Sequence, residues 1–260
     1  MKLKPIVLCL SGHDPCGGAG IQADIEVINS HSCHAATLIT CLTQQDTHNV
    51  VSIWPQNVQN FTSQARTLIK DLDVAVIKIG LIGSVEIALA ILDIIKALPD
   101  IPVVMDPVLA AGGGKNMSNN NLLDTIADQL LPHITLLTPN SNEARLLSGK
   151  SNLNEAAKSL QIMGAKYVLV TGSHEDTATV DNTLYMPNLK EQTFHWERLP
   201  GDYHGSGCTL ASACAALLAR GFDVYTAVSE AQDYTWQTLE SAYQTGSGQL
   251  NPDRFFWCEA

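Results

Sequence analysis

His204-Gly205-Ser206-Gly207-Cys208 is the stretch of this sequence best equipped for chemistry. It stands just ahead of an alanine-rich apolar run, Ala211 to Ala219, which Arg220-Gly221 stops as a helix C-terminus should be stopped. Glycines at 205 and 207 let the backbone turn and aim several N–H groups at one point, where the helix macrodipole adds roughly half a positive charge. Such a terminus binds an anion without a lysine, and in phosphoryl transfer it stabilises charge on the migrating group. Cys208 falls in the first turn, where a thiol pKa is expected to drop below about 8.5, so that a thiolate could take the proton of an attacking hydroxyl. Two other readings use the same residues. One is a glycine-rich turn before a buried helix, with Cys208 a small core residue. The other is acyl transfer with Cys208 as nucleophile and His204 as base, for which no nearby third group orients the imidazole.

A second concentration of glycine runs from Ser11 to Asp24. It lacks the G-x-G-x-x-G spacing of a dinucleotide loop. Gly17, Gly18 and Gly20 instead suit a close approach of helix to something small and flat. Asp24, one turn into the helix that follows, and Gln45, at the end of an apolar run from Ala35, can hydrogen-bond a heterocycle or a hydroxymethyl group. A single acid near a helix start is more commonly just exposed. Asn140 and Glu143 carry the spacing of a capping box as well as that of a polar site pair, and Asp106-Pro107 could merely end a strand. His13 and His174 read as polar lining.

These residues need a scaffold, and the sequence supplies one. Short β-rich runs at Ile6–Leu10, Val51–Trp54, Val74–Ile79, Val103–Met105, Ile134–Leu137 and Tyr167–Val170 alternate with helical patterns at about 20–30, 57–70, 84–97, 119–131, 141–148 and 154–163. Two further strands, Thr183–Met186 and Thr193–Leu199, are adjacent and expected antiparallel, and helices at about 207–219 and 223–242 close the chain. Repeated βα units imply a mostly parallel sheet with helices on both faces, and no linker divides it, so residues 1–260 are expected to form a single α/β domain. Ser11-Gly12, Asp106-Pro107, Thr138-Pro139-Asn140 and Thr171-Gly172 all end strands, which puts them on one rim, where such sheets bind ligands.

The formal charge of -11, with 15 Lys and Arg in 260 residues, excludes nucleic acid and anionic membrane as partners. It also means that phosphate must be met by backbone N–H groups, a helix terminus and a divalent cation. Seven cysteines, odd in number and without a C-x-x-C pair, suit reduced thiols. No apolar run approaches the ~20 residues of a membrane span and the N-terminus is too short for a signal core, so a cytoplasmic location is expected. The tail, Gly246 to Pro252 and then Phe255-Phe256-Trp257, can fold back over the rim, pack at a subunit interface or complete the core.

Ser11 to Asp24, Lys78-Ile79-Gly80-Leu81, Met105-Asp106-Pro107-Val108, Thr138 to Ala144 and His204 to Thr209 together resemble the hydroxymethylpyrimidine/phosphomethylpyrimidine kinases of thiamin biosynthesis, in the ribokinase superfamily. The likeness runs in order from residue 6 to about 220. It implies a ribokinase-like three-layer sandwich and an ATP-dependent kinase of 4-amino-5-hydroxymethyl-2-methylpyrimidine and its monophosphate, with Mg²⁺ and ATP. Position by position, Gly12, Asp24 and Gln45 match pyrimidine-binding residues and Val108 a backbone contact to substrate. Gly205, Ser206 and Gly207 match the anion hole, and Cys208 matches the base. Asp106, Asn140, Glu143, Thr171 and Gly172 match the nucleotide side, with Glu143 and Asp106 toward the metal. A homodimer is the expected assembly. Pyridoxal as acceptor, or a non-catalytic pyrimidine sensor, are the alternatives. Three departures stand out: Thr171 replaces a frequent lysine, Asp46 a frequent asparagine, and Leu109-Ala110-Ala111-Gly112-Gly113-Gly114 is glycine-rich enough for a mobile flap.

Overall fold

The computed structural model describes residues 4–109 and 120–258. Residues 110–114 of the expected flap lie outside them. Nine strands form one sheet in the order β3-β2-β1-β4-β5-β6-β7-β8-β9. They are β1 (Ile6–His13), β2 (His34–Gln45), β3 (Val50–Pro55), β4 (Val74–Ile79), β5 (Val103–Met105), β6 (Leu136–Leu137), β7 (Tyr167–Val170), β8 (Thr179–Tyr185) and β9 (Gln192–Glu197). The six from β2 to β7 run parallel, while β3 at one edge and β8 and β9 at the other pair antiparallel.

Strand side chains alternate between two cores, as a period of two requires. Leu8, Leu10, Ile77, Ile79 and Met105 face one layer of helices: α2 (Val58–Asp71), α3 (Val85–Ala97), α4 (Asn120–Thr125), α5 (Ser141–Ser148) and α6 (Leu153–Ile162). Val7, Cys9, Val76, Val104 and Leu136 face the other: α1 (Gly20–Ser30), α7 (Ser206–Ala219) and α8 (Val224–Glu240). The expected 119–131 helix continues past α4 as a π-helical turn, Ile126–Leu130, and a tight turn, Leu131–His133. Every residue of α7 from Cys208 to Leu217 is buried, and small side chains at 211–216 let it lie close to the sheet. The chain runs from β1 to β2 and β3 on one side and then crosses to β4 on the other side of β1, so the strand order reverses between β1 and β4. A crevice opens at such a reversal, beyond the carboxyl ends of the strands.

β1 is longer than its apolar run. A bulge between Ser11 and His13 carries the pairing with β2 to Leu42, and the Thr43 hydroxyl donates to the His13 carbonyl at 2.8 Å. β8 starts four residues before the expected Thr183, because Thr179, Asp181 and Asn182 carry no apolar alternation to announce a strand.

Candidate active site

A cavity of about 460 Å³ occupies that crevice. Asn57, Ser84, Asn140, Asn152 and Asp223 cap α2, α3, α5, α6 and α8 through their side chains. α1 and α7 start without such a cap, and both starts line the cavity, Ala19-Gly20 for α1 and Gly205 to Cys208 for α7. The first-turn N–H groups of a helix have no intrahelical acceptor, so an anion in the cavity would meet them directly. Gly205 holds φ at +82°, and a Cβ there would lie 1.9 Å from the Gly18 carbonyl oxygen. Gly207 faces the Asp106 carboxylate, and a Cβ there would lie 3.6 Å from Oδ2.

Beneath that terminus five ionisable groups gather: Asp106, Glu143, Cys208, Lys78 and Asp24. Asp106 follows β5 and Glu143 is the third residue of α5; both are buried and line the cavity. Burial pushes Asp106 up to about 6, against the opposing pull of Lys78 and a hydrogen bond from Cys208. Burial and the Asp106 charge push Glu143 up to about 8. Its carboxylate accepts from the Asn140 N–H at 2.9 Å and the Leu109 N–H at 3.3 Å. With Asn140 Oδ1 accepting from the Glu143 N–H at 2.9 Å, Asn140 and Glu143 form a complete capping box and line the cavity as well. Two hard carboxylates whose charges repel across a buried space fit a divalent cation such as Mg²⁺ with phosphate oxygens as further ligands. Among the described residues no three His, Cys, Asp or Glu cluster as a metal site.

The expected lowering of the Cys208 pKa is reversed. Burial, and then the Asp106 charge, push the Cys208 thiol up to about 12. Lys78 and a hydrogen bond from the Gly20 N–H work the other way. The helix-terminus effect operates on a group that has lost its water, and desolvation is the larger influence.

Asp24 is corrected too. It is fully buried and not part of the cavity lining. Its Oδ1 takes the Lys78 ammonium at 2.7 Å and the Ser212 hydroxyl at 2.6 Å, and its Oδ2 takes the Ser11 hydroxyl at 2.6 Å. Three donors occupy the carboxylate that a pyrimidine was expected to use. Lys78, missed as a site residue, lies fully buried yet lines the cavity. Burial alone would lower its pKa; Asp24, Cys208 and Asp106 raise it above the ordinary value. A lysine inside the otherwise apolar Val74–Ile79 strand was the signal for it, since a charge buried on a sheet face needs a partner.

Gly12 and His13 at the end of β1, Gln45 at the end of β2 and Val108 just after β5 all line the cavity. Asp46 turns outward and caps its own loop, accepting from the His48 and Asn49 N–H groups at 2.8 and 2.9 Å, so it does not charge the pocket. Thr171 and His174, which follow β7, Trp196 on the edge strand β9 and Trp236 on α8 line the cavity as well. Gly172 is set back from the cavity: a Cβ there would strike the Asp181 carbonyl at 2.3 Å, and its N–H donates to Asn182 at 3.0 Å. His204 does have an orienting acid, Asp14, at 2.9 Å, brought from 190 residues away. The thiol, however, bonds Asp106, which leaves the acyl-transfer arrangement without its nucleophile–base contact.

The tail folds back over the rim. Leu250 bridges Tyr203 and accepts from the His204 N–H at 2.9 Å, and Gln249 lines the cavity after its N–H donates to the Thr47 carbonyl at 2.9 Å.

The family model for phosphomethylpyrimidine kinase matches residues 14–253. A hydroxymethylpyrimidine/phosphomethylpyrimidine kinase of Mycobacterium bovis is 36% identical over 251 residues, 94% of this chain and 91% of that protein. Among solved structures, an ADP complex of Bacillus subtilis pyridoxal kinase superposes with a TM-score of 0.90 at 26% identity, covering 96% of this chain and 97% of the other. A phosphomethylpyrimidine kinase from Clostridium difficile gives 0.80 at 27% identity, covering 91% and 100%. The architecture is ribokinase-like, and the chain belongs to the phosphomethylpyrimidine kinase family.

Proposed function

We propose that the chain, acting as one catalytic unit, transfers the γ-phosphoryl group of ATP to the hydroxymethyl group of 4-amino-5-hydroxymethyl-2-methylpyrimidine, and a second one to the resulting monophosphate, in thiamin biosynthesis. The observation that carries this reading is one cavity lined both by Gly12, Gln45 and Val108 and by the uncapped α7 terminus at Gly205–Cys208. Gln45 and the backbone at Val108 orient the pyrimidine, and the α7 N–H groups hold the charge of the migrating phosphoryl group. Asn140 and Thr171 face the nucleotide. Asp106 and Glu143 would hold magnesium; when bound, the cation would neutralise phosphate and carboxylate charge, including the Asp106 charge that holds the Cys208 thiol up.

Cys208 takes the hydroxyl proton as the substrate oxygen bonds phosphorus and the phosphorus–ADP oxygen bond breaks. Lys78, the Gly20 N–H and the α7 dipole work toward its ionisation, against burial and the Asp106 charge. A homodimer goes with this reading, supported by Leu42 and Trp54, paired across the β2–β3 ribbon and 38% and 53% exposed. A cytoplasmic setting is supported by seven free cysteines; no helix among the described residues is long and apolar enough to cross a membrane.

The test is coupled ADP release with the pyrimidine, its monophosphate and pyridoxal in parallel. Turnover with either pyrimidine above that with pyridoxal is expected, and no ATP consumption with a pyrimidine would leave the sensor alternative standing. Cys208→Ala should lose on the order of 100-fold or more in kcat while still binding ATP; ordinary turnover by that variant removes the base role.

A further inference from the structure

Arg254 is the largest fully buried side chain among the described residues, 2% exposed, and nothing in the chemistry above uses it. It lies in the tail beyond α8, where Tyr234 donates to its carbonyl at 2.9 Å and the Asp253 N–H donates to Thr238 at 2.9 Å. Its guanidinium reaches into the rim with each of its three nitrogens donating a hydrogen bond. Nε donates to the Thr209 hydroxyl at 3.0 Å, Nη1 to Glu26 at 2.9 Å, and Nη2 to the Gly18 carbonyl. Thr209 passes the link on, its hydroxyl donating to the Gly205 carbonyl at 2.9 Å.

These bonds close a ring around the start of α7. Gly18 belongs to the front loop, and its carbonyl oxygen sits so close to Gly205 that a Cβ there would overlap it. Gly205 is the left-handed residue whose peptide decides where the N–H groups of 206–208 point. A carbonyl oxygen pressed against an anion-binding terminus repels the anion unless its lone pairs are engaged, and a planar guanidinium engages it while holding a second acceptor at fixed geometry.

We propose that Arg254 is a positioning residue for phosphoryl transfer: it locks the Gly18 and Gly205 peptides, through Thr209, in the arrangement that presents the α7 N–H groups to the migrating phosphate. It touches no substrate. Removing it lets the Gly205 turn relax by a fraction of an ångström, enough to misalign several donors at once. Acceptor binding at Gly12, Gln45 and Val108 is left alone.

The proposal rests on the kinase reading, and its test separates the two. Wild-type transfer to the pyrimidine is measured first; its absence sinks the substrate assignment. Slow ATP hydrolysis without acceptor, which depends on the same terminus, then reports on Arg254 in its place. Arg254→Ala is expected to lose roughly 100-fold in kcat, with KM for the pyrimidine within about twofold of wild type. Millimolar guanidinium should restore part of that loss, and Arg254→Lys, which keeps the charge and loses the fork, should stay at least about tenfold slow. Thr209→Val cuts the ring at one link with little change in volume and should slow kcat by about tenfold. If Arg254→Ala does not fold, Thr209→Val and Arg254→Lys decide. Either of these within about twofold of wild-type kcat, or an Arg254→Ala protein with a lower melting temperature but unchanged kcat, overturns the proposal. So does a loss that guanidinium leaves untouched.

Discussion

A lysine in the middle of a strand covered on both faces needs a partner there, and Lys78 takes one from a helix. Asp24 neutralises it, with Ser11 and Ser212 filling the remaining oxygen positions. Breaking a buried pair from one side leaves a charge without water or counter-ion, at a cost of about 3–5 kcal/mol. Asp24→Asn should therefore lower the thermal melting point sharply, and Asp24→Asn with Lys78→Met should recover much of the loss. An Asp24→Asn protein of normal melting point with a raised KM for the pyrimidine would restore the substrate-contact reading. The buried role was partly visible in the sequence. Asp24 shares the stripe of Ile21, Val27 and Ile28 on α1, which is the core-facing side of that helix, whereas a lone exposed acid would fall off it. Its partner 54 residues later was not visible, because which strand lies beneath α1 is a matter of topology. For Cys208 the sequence position was informative and the sign was not. A first-turn thiol is lowered when solvated, and the burial that reverses this comes from the packing of α7 against the sheet.

At the level of the element, α7 shows why two neighbouring glycines are not equivalent. Gly205 combines a positive φ with a Gly18 carbonyl where a Cβ would go, while Gly207 is helical and would place its Cβ at ordinary contact distance from Asp106. Gly205→Ala must strain or shift the turn, at a cost of roughly 1–2 kcal/mol for the backbone region alone and more for the overlap. Gly207→Ala should gain up to about 1 kcal/mol from helix propensity while setting a methyl group between Asp106 and the proposed phosphate position. Denaturant melts should thus move in opposite directions for the two variants, with kcat lost in both. An active Gly207→Ala enzyme would mean that the phosphate lies elsewhere. The elements themselves were largely legible from periodicity, including the antiparallel β8–β9 pair. The misses have local causes. β1 and β8 extend through Ser, Gly, Thr, Asp and Asn residues that pair for tertiary reasons, and β6 is cut to Leu136–Leu137 by the turns that precede it.

Over the whole molecule, the charge of -11 opposes an anionic nucleotide, and the sheet resolves the conflict by burying its attraction. The features that favour phosphate are backbone N–H groups at the α7 start, positioned by the buried Arg254, with Lys78 at 0% exposure and paired to Asp24 beside them. Salt screens them little, whereas the exposed carboxylates that repel the nucleotide are screened strongly: the Debye length falls from ~30 Å to ~8 Å between ~10 mM and ~150 mM salt. Repulsion at long range therefore weakens with salt while attraction at contact persists. KM for Mg·ATP should fall as KCl is raised across that interval, the reverse of what a surface patch of lysines gives. This sign distinguishes the two ways of holding phosphate. With threonine at 171, the buried way is the one proposed for this chain, and a KM that rose steeply with salt would show that surface cations, and not the helix terminus, capture the nucleotide.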